Sequence, residues 1–230
     1  YDVTNNIVTI TGGLPAGEYI IDAVLTGDEN YTGSNATETF NVVKNNITVT
    51  LADIATIIYV GTPVTFTANL NETVTGDVVF NINGVNYTVA ITDANMTTYT
   101  YTPTTNVTLT VVAAFTGNNK YNANSSAAKE FEVNRVASGI NITTSTINVG
   151  EIAVFDIVMD PAINTTVTLT VNGKTYNVAI VNGKGSFNIS GLANKTYEAN
   201  VTFAGNDKYS NVSNVTTLKV NKVVDYDINV

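Results

Sequence analysis

Gly27-Asp28-Glu29-Asn30-Tyr31, Gly117-Asn118-Asn119-Lys120-Tyr121 and Gly205-Asn206-Asp207-Lys208-Tyr209 are three occurrences of one pattern, Gly-x-x-x-Tyr. They are spaced by 90 residues (117 minus 27) and 88 residues (205 minus 117). Recurrence at a fixed period marks a chain assembled from copies of one structural unit. A period of about 90 suits one β-sandwich domain.

Working outward, each loop follows an alternating apolar stretch: Tyr19-Ile21-Ala23-Leu25, Leu109-Val111-Ala113-Phe115 and Tyr197-Ala199-Val201-Phe203. Period two predicts a half-buried strand. A second such strand follows each loop, marked by Phe40 and Val42, Phe131 and Val133, and Leu218 and Val220. Upstream, Val64-Phe66-Ala68-Leu70 matches Ala153-Phe155-Ile157-Met159, and Val78-Phe80-Ile82 matches Val167-Leu169-Val171. These lead into Asn83-Gly84 and Asn172-Gly173, then Tyr87-Val89-Ile91 and Tyr176-Val178-Ile180. Asn-Gly tolerates positive φ and between alternating strands predicts a tight hairpin.

The expected fold class is all-β: tandem immunoglobulin-like Greek-key β-sandwiches in an extended array, with about seven strands per complete unit. Residues 45–136 and 137–222 read as complete repeats, and residues 1–44 as the C-terminal half of another, because Gly13-Leu14 and Tyr19 align with Gly191-Leu192 and Tyr197. Residues 223–230 read as the first strand of a further repeat, which makes the chain a piece of a longer array. The joints, Lys44-Asn45-Asn46 and Arg135-Val136-Ala137-Ser138-Gly139, are short, and short joints favour a semi-stiff rod. Strands lying along such a rod would add on the order of 30–40 Å per unit.

Composition narrows the function. The chain has no Cys and no His, which removes disulfides, thiolate nucleophiles and the commonest general base and metal ligand. No catalytic residue, metal or cofactor is expected. Net charge is -9 with no cluster of Lys or Arg, so nucleic acid is a poor partner. Leu51 to Val60, the longest mostly apolar stretch, is too short to span a bilayer.

At these residues the chain resembles the bacterial and archaeal Ig-like repeat domains of large surface proteins, and most closely the Asn- and Thr-rich adhesin-like proteins of methanogens. The resemblance implies an extracellular, cell-surface location. It also implies a role in attachment, or in holding a binding domain away from the envelope, with cell-envelope or other-cell components, glycans or neighbouring copies as partners. Two functional readings follow: a non-enzymatic adhesin-like stalk or spacer, or a filament subunit whose incomplete N-terminal sandwich accepts strands from a neighbour. An aromatic-platform carbohydrate module is disfavoured, since there is no Trp and the Tyr and Phe fall largely at inward positions.

Fifteen Asn-x-Ser/Thr sequons occur where 33 Asn and 47 Ser plus Thr in 230 residues would give about seven by chance. Strands place residues i and i+2 on one face, so a polar face of Asn and Thr makes sequons without selection for sugar. Asn30, Asn35, Asn71, Asn106, Asn164, Asn194 and Asn211, expected in loops or at strand ends, are the candidate N-glycosylation sites. Gly27, Tyr31, Gly117, Tyr121, Gly205 and Tyr209 are expected to be structural, the glycines turning the chain and the tyrosines plugging the sandwich ends. Calcium at Asp28, Glu29 and Asp207 is disfavoured because the middle loop has no carboxylate. An isopeptide cross-link is also not expected, because Arg135 takes the place of Lys44 and Lys222.

Overall fold

The computed structural model describes residues 2–4, 7–11, 13–54 and 57–223. These contain strands and no helix. By packing, the chain divides into two compact units: Tyr1–Ile57, Pro63–Tyr101 and Thr108–Glu132 in the first, and Ile58–Thr62, Thr102–Val107 and Val133–Val230 in the second. The strand expected over residues 223–230 lies outside the described residues beyond Val223.

The first unit opens with two hairpins. Strand β1 (Asp2–Thr4) pairs with β2 (Ile7–Thr9), and β3 (Gly17–Leu25) pairs with β4 (Ser34–Val42). In β3–β4, Tyr19 faces Phe40 across the ladder and their rings stack at 5.6 Å. Val42 is half-buried, and the other positions expected to point inward in β3 are exposed, Leu25 by 64% and Ile21 by 48%. Among the described residues no second sheet covers this face, so alternation here creates an apolar side with nothing packed on it.

The middle repeat contains β5 (Val49–Leu51), β6 (Ile58–Tyr59), β7 (Val64–Ile82), β8 (Val85–Tyr101), β9 (Thr108–Phe115), β10 (Asn124–Ser125) and β11 (Lys129–Asn134). In the first unit, β7 serves both sheets of a sandwich. Its first half pairs with β5 and the end of β8, and its second half with the start of β8 and β9. The passage between sheets is a register shift between Asn69 and Gly76, the increased local twist expected of a bulge. The Asn83-Gly84 turn joins β7 to β8 with Asn83 at φ 48°, as the sequence predicts. Phe66, Phe80, Leu109, Val111 and Phe115 are buried between the layers.

The second unit holds the third repeat: β12 (Gly139–Thr144), β13 (Ile147–Asn148), β14 (Ala153–Asp160), β15 (Thr165–Val171), β16 (Lys174–Ile180), β17 (Lys184–Ile189), β18 (Thr196–Phe203) and β19 (Val212–Asn221). A sheet in the order β12-β14-β17 faces one in the order β13-β19-β18-β15-β16. The inner faces are those the alternation predicts. In β14, Ala153, Phe155, Ile157 and Met159 are buried while the residues between them are exposed. Phe155, Leu169, Ala199 and Leu218 are fully buried, each large apolar chain contributing about 1.5–3 kcal/mol by leaving water. The first strand of each complete repeat is broken into two pieces, β5/β6 and β12/β13. The second piece runs parallel to the last strand, through Val133–Ile58 and Ile147–Val220, and the pieces number seven strands in the middle repeat and eight in the third.

Candidate functional site

All three Gly-x-x-x-Tyr loops close with the same bonds. The Asx side chain after the glycine accepts two backbone N–H groups: Asp28 Oδ1 from Asn30 and Tyr31 (both 2.8 Å), Asn118 Oδ1 from Lys120 and Tyr121 (both 2.8 Å), and Asn206 Oδ1 from Lys208 (2.9 Å) and Tyr209 (2.8 Å). The Asx N–H in turn donates to the Tyr carbonyl at 2.9, 3.0 and 3.0 Å. The side chain therefore performs a turn-closing task that Asp and Asn do equally well, which accounts for their interchange. Among the described residues no group of three or more Asp or Glu is placed to hold a metal.

The tyrosines diverge. Tyr121 is buried and donates its hydroxyl to Glu72 Oε2 (3.3 Å), and Tyr209 is half-buried against the core of the second unit. Tyr31 is 73% exposed, so the expectation that it plugs a sandwich end fails, because no sandwich lies beneath it among the described residues. Lys120 and Lys208 lie over the rings of Tyr121 and Tyr209 at 5.0 and 5.4 Å, where the first loop has Asn30.

In both complete repeats the loop does something composition gave no hint of: it grips the chain leading into the repeat. Asn45 forms a parallel bridge to Tyr121, donating its N–H to the Lys120 carbonyl (2.9 Å) and accepting from the Asn122 N–H (2.9 Å). Val136 repeats this at Tyr209, donating to the Lys208 carbonyl (2.8 Å) and accepting from the Ser210 N–H (3.0 Å). Side chains reinforce both grips, Asn122 Nδ2 to Asn46 Oδ1 (3.0 Å) and Ser138 Oγ to the Ser210 carbonyl (2.8 Å). Between the end of the preceding last strand and the gripped residue, only Val43 and Lys44 are free in the first joint and only Arg135 in the second. The first joint also has Ala16 donating to the Asn119 carbonyl (3.4 Å).

A second recurring feature is the corner before β3 and β18. The Tyr19 hydroxyl donates to the Pro15 carbonyl (2.7 Å) and that of Tyr197 to the Ala193 carbonyl (3.1 Å), the tyrosine-corner arrangement of Ig-like sandwiches. Leu109 stands at that position in the middle repeat, so the feature does not recur at every period and the sequence pattern conceals it.

The candidate glycosylation sites fall into three groups. Asn30, Asn35 and Asn211 are exposed, with no side-chain hydrogen bond among the described residues; Asn35 is the second residue of β4. Asn71, inside β7, and Asn164 use only Oδ1, accepting from the Thr48 N–H (2.7 Å) and the Asn182 N–H (2.6 Å). Asn106 and Asn194 donate Nδ2 to the carbonyls of Val133 and Val220 and so tie the last strand of their repeats to the same corner. In those two the nitrogen that would carry a glycan is already bonded.

No charged or polar residue is buried among the described residues, and Lys44, Arg135 and Lys222 are exposed. The single ion pair among them joins Lys129 to Asp53 near the surface.

No family model and no curated protein matches the chain. Among solved structures it is similar to the fibronectin(III)-like modules of Clostridium thermocellum CbhA, at 13% identity and a TM-score of 0.33 over 76% of this chain and 95% of that one. It is similar to a 1.5-MDa bacterial ice-binding adhesin at 20% identity and a TM-score of 0.35, covering 89% of this chain and 75% of that one. The I9-I11 tandem of titin is similar at 11% identity and a TM-score of 0.36, over 91% and 75%.

Proposed function

We propose that the chain is a non-enzymatic, extracellular adhesin-like stalk or spacer, whose repeats occupy 45–136 and 137–222 and whose partners are components of a cell envelope or of another cell. The observation that carries this reading is the paired grip at Asn45 and Val136, which leaves so few free residues between repeats. A spacer needs its joints to resist folding back, and backbone bonds from a loop to the incoming chain supply that restraint without a particular side chain. Small-angle X-ray scattering of the full chain tests it. A stalk with about 30–40 Å per repeat gives a radius of gyration well above the ~17 Å of a compact 230-residue globule. A value near that of the globule overturns the reading.

The exposed inner face of β3–β4 and the open Tyr31 loop favour a second reading, assembly into filaments by complementation of this hairpin with strands of a neighbour. Concentration-dependent growth in sedimentation velocity supports it, and a single species across the range rejects it. Glycans on Asn30, Asn35, Asn71, Asn164 and Asn211 would suit either role, and the intact mass of native material decides whether they are present.

A further inference from the structure

Three Asn-Gly pairs occur in the chain, Asn83-Gly84, Asn172-Gly173 and Asn182-Gly183, and the three asparagines share one backbone conformation, at φ 48°, 52° and 48°. Such a pair carries chemistry of its own. The nitrogen of a glycine, with no side chain to shield it, can attack the carboxamide of the asparagine before it. The reaction needs a carboxamide free to swing and a glycine nitrogen free to receive it. The asparagine conformation is common to all three pairs, so it cancels in a comparison among them.

Two of the three pairs are held. At Asn83 both ends of the carboxamide are bonded: Oδ1 accepts from the Thr110 N–H (2.7 Å) and Nδ2 donates to the Thr108 carbonyl (3.3 Å). The attacking nitrogen is engaged as well, the Gly84 N–H donating to Asn81 Oδ1 (3.1 Å). At Asn182 the nitrogen is what is held, because the Gly183 N–H donates to the Ile163 carbonyl (3.0 Å) and Gly183 is buried against Ala162. Asn172-Gly173 has neither restraint. Thr170 stands where the middle repeat has Asn81, and among the described residues neither the Asn172 carboxamide nor the Gly173 N–H has a hydrogen-bond partner. Both residues are exposed, and a Cβ at Gly173 would meet nothing within 4 Å.

We infer that Asn172 is a site of self-modification, at which the side-chain amide is lost and a carboxylate is left in its place. The Gly173 nitrogen gives up its proton and bonds to the Asn172 Cγ; the Cγ–Nδ2 bond breaks and the amide leaves as ammonia, closing a five-membered imide. One water then opens the ring. Attack at Cγ leaves aspartate, and attack at the main-chain carbonyl leaves isoaspartate, so one ammonia is lost and one water gained with no change of oxidation state. Either product adds a negative charge to a chain of net charge -9. Isoaspartate also lengthens the main chain by one carbon inside the two-residue turn between Val171 and Lys174, where β15 and β16 depend on a fixed register. The middle repeat is spared both changes. This inference stands whether or not the chain is a stalk.

The test is incubation of the full folded chain at mildly alkaline pH in ¹⁸O-labelled water, followed by peptide mapping with mass spectrometry. Label uptake measures conversion at each of the three asparagines, and fragmentation separates isoaspartate from aspartate. Conversion at Asn172 is expected to run at least about tenfold faster than at Asn83 or Asn182, whose hydrogen bonds must break first. Its rate rises with pH, because the Gly173 nitrogen must lose its proton to attack. In urea, where the bonds of the fold are gone, the three sites convert at similar rates. Asn172→Gln, whose longer side chain closes its ring far more slowly, removes the fast component. Equal rates at Asn172 and Asn83 in the folded chain overturn the inference. So does a preference for Asn172 that persists undiminished in urea, which would assign it to neighbouring sequence instead of the fold.

Discussion

The glycine that opens each Gly-x-x-x-Tyr loop cannot carry a side chain, and the reason differs from that of a turn glycine. A Cβ at Gly205 would lie 2.9 Å from the Asn211 nitrogen and 3.0 Å from the Tyr209 oxygen, at φ +83°. At Gly173 φ is also positive, +73°, but a Cβ would meet nothing within 4 Å. Gly173→Ala is therefore expected to cost about 1–2 kcal/mol of conformational strain alone, and Gly205→Ala about 3 kcal/mol or more, from strain plus a clash with backbone that cannot yield. Urea denaturation of the two variants checks the order. Tyr197→Phe removes the corner hydrogen bond and should cost about 1 kcal/mol. Tyr99 gives a pH signature. Burial, with Tyr87 and Tyr101 beside it, raises its phenol above the ordinary value of 10.0. The folded state then holds that proton more tightly than the unfolded chain, so this contribution is constant below pH 10.0 and is lost as pH rises above it. Tyr99→Phe, which installs the residue present at the equivalent Phe187, should flatten the decline measured by denaturation at alkaline pH. An identical decline in the variant would remove Tyr99 from the explanation.

At the scale of elements, the two Asn-Gly hairpins look alike in sequence and differ in what they hold. Asn83→Ala loses the two side-chain bonds to β9 and an Asn at positive φ, and should cost about 2–3 kcal/mol; Asn172→Ala loses mainly the conformational preference, about 1 kcal/mol. Thermal unfolding of the paired variants distinguishes them, and equal losses would contradict the difference in what the two turns hold. Strand identity and inner face were legible from alternation because burial of one face enforces period two: Phe155, Leu169 and Ala199 lie where the pattern puts them. Alternation alone misled at β3, since Ile21 and Leu25 carry the pattern without a sheet to receive them. The grips at Asn45 and Val136 were not legible, because they are made by backbone atoms and the two positions share no side-chain chemistry. The difference between the two Asn-Gly turns was hidden for a related reason, being set by bonds that Asn83 makes to Thr108 and Thr110 and Asn172 does not make to Thr196 or Glu198.

For the whole molecule, the Gly-x-x-x-Tyr loop gains a meaning beyond that of a repeat marker: it is the part of each complete sandwich that receives the incoming chain. Asn206→Ala removes the acceptor for the Lys208 and Tyr209 N–H groups, so it should loosen the loop and with it the grip on Val136. Hydrogen exchange at the backbone amides of Asn45, Asn122, Val136 and Ser210, in the full chain, tests this most directly. If the grips hold, all four amides are protected, and Asn206→Ala speeds exchange at Val136 and Ser210 while Asn45 and Asn122 stay protected. Fast exchange at Val136 and Asn45 in the unmodified chain would contradict the account.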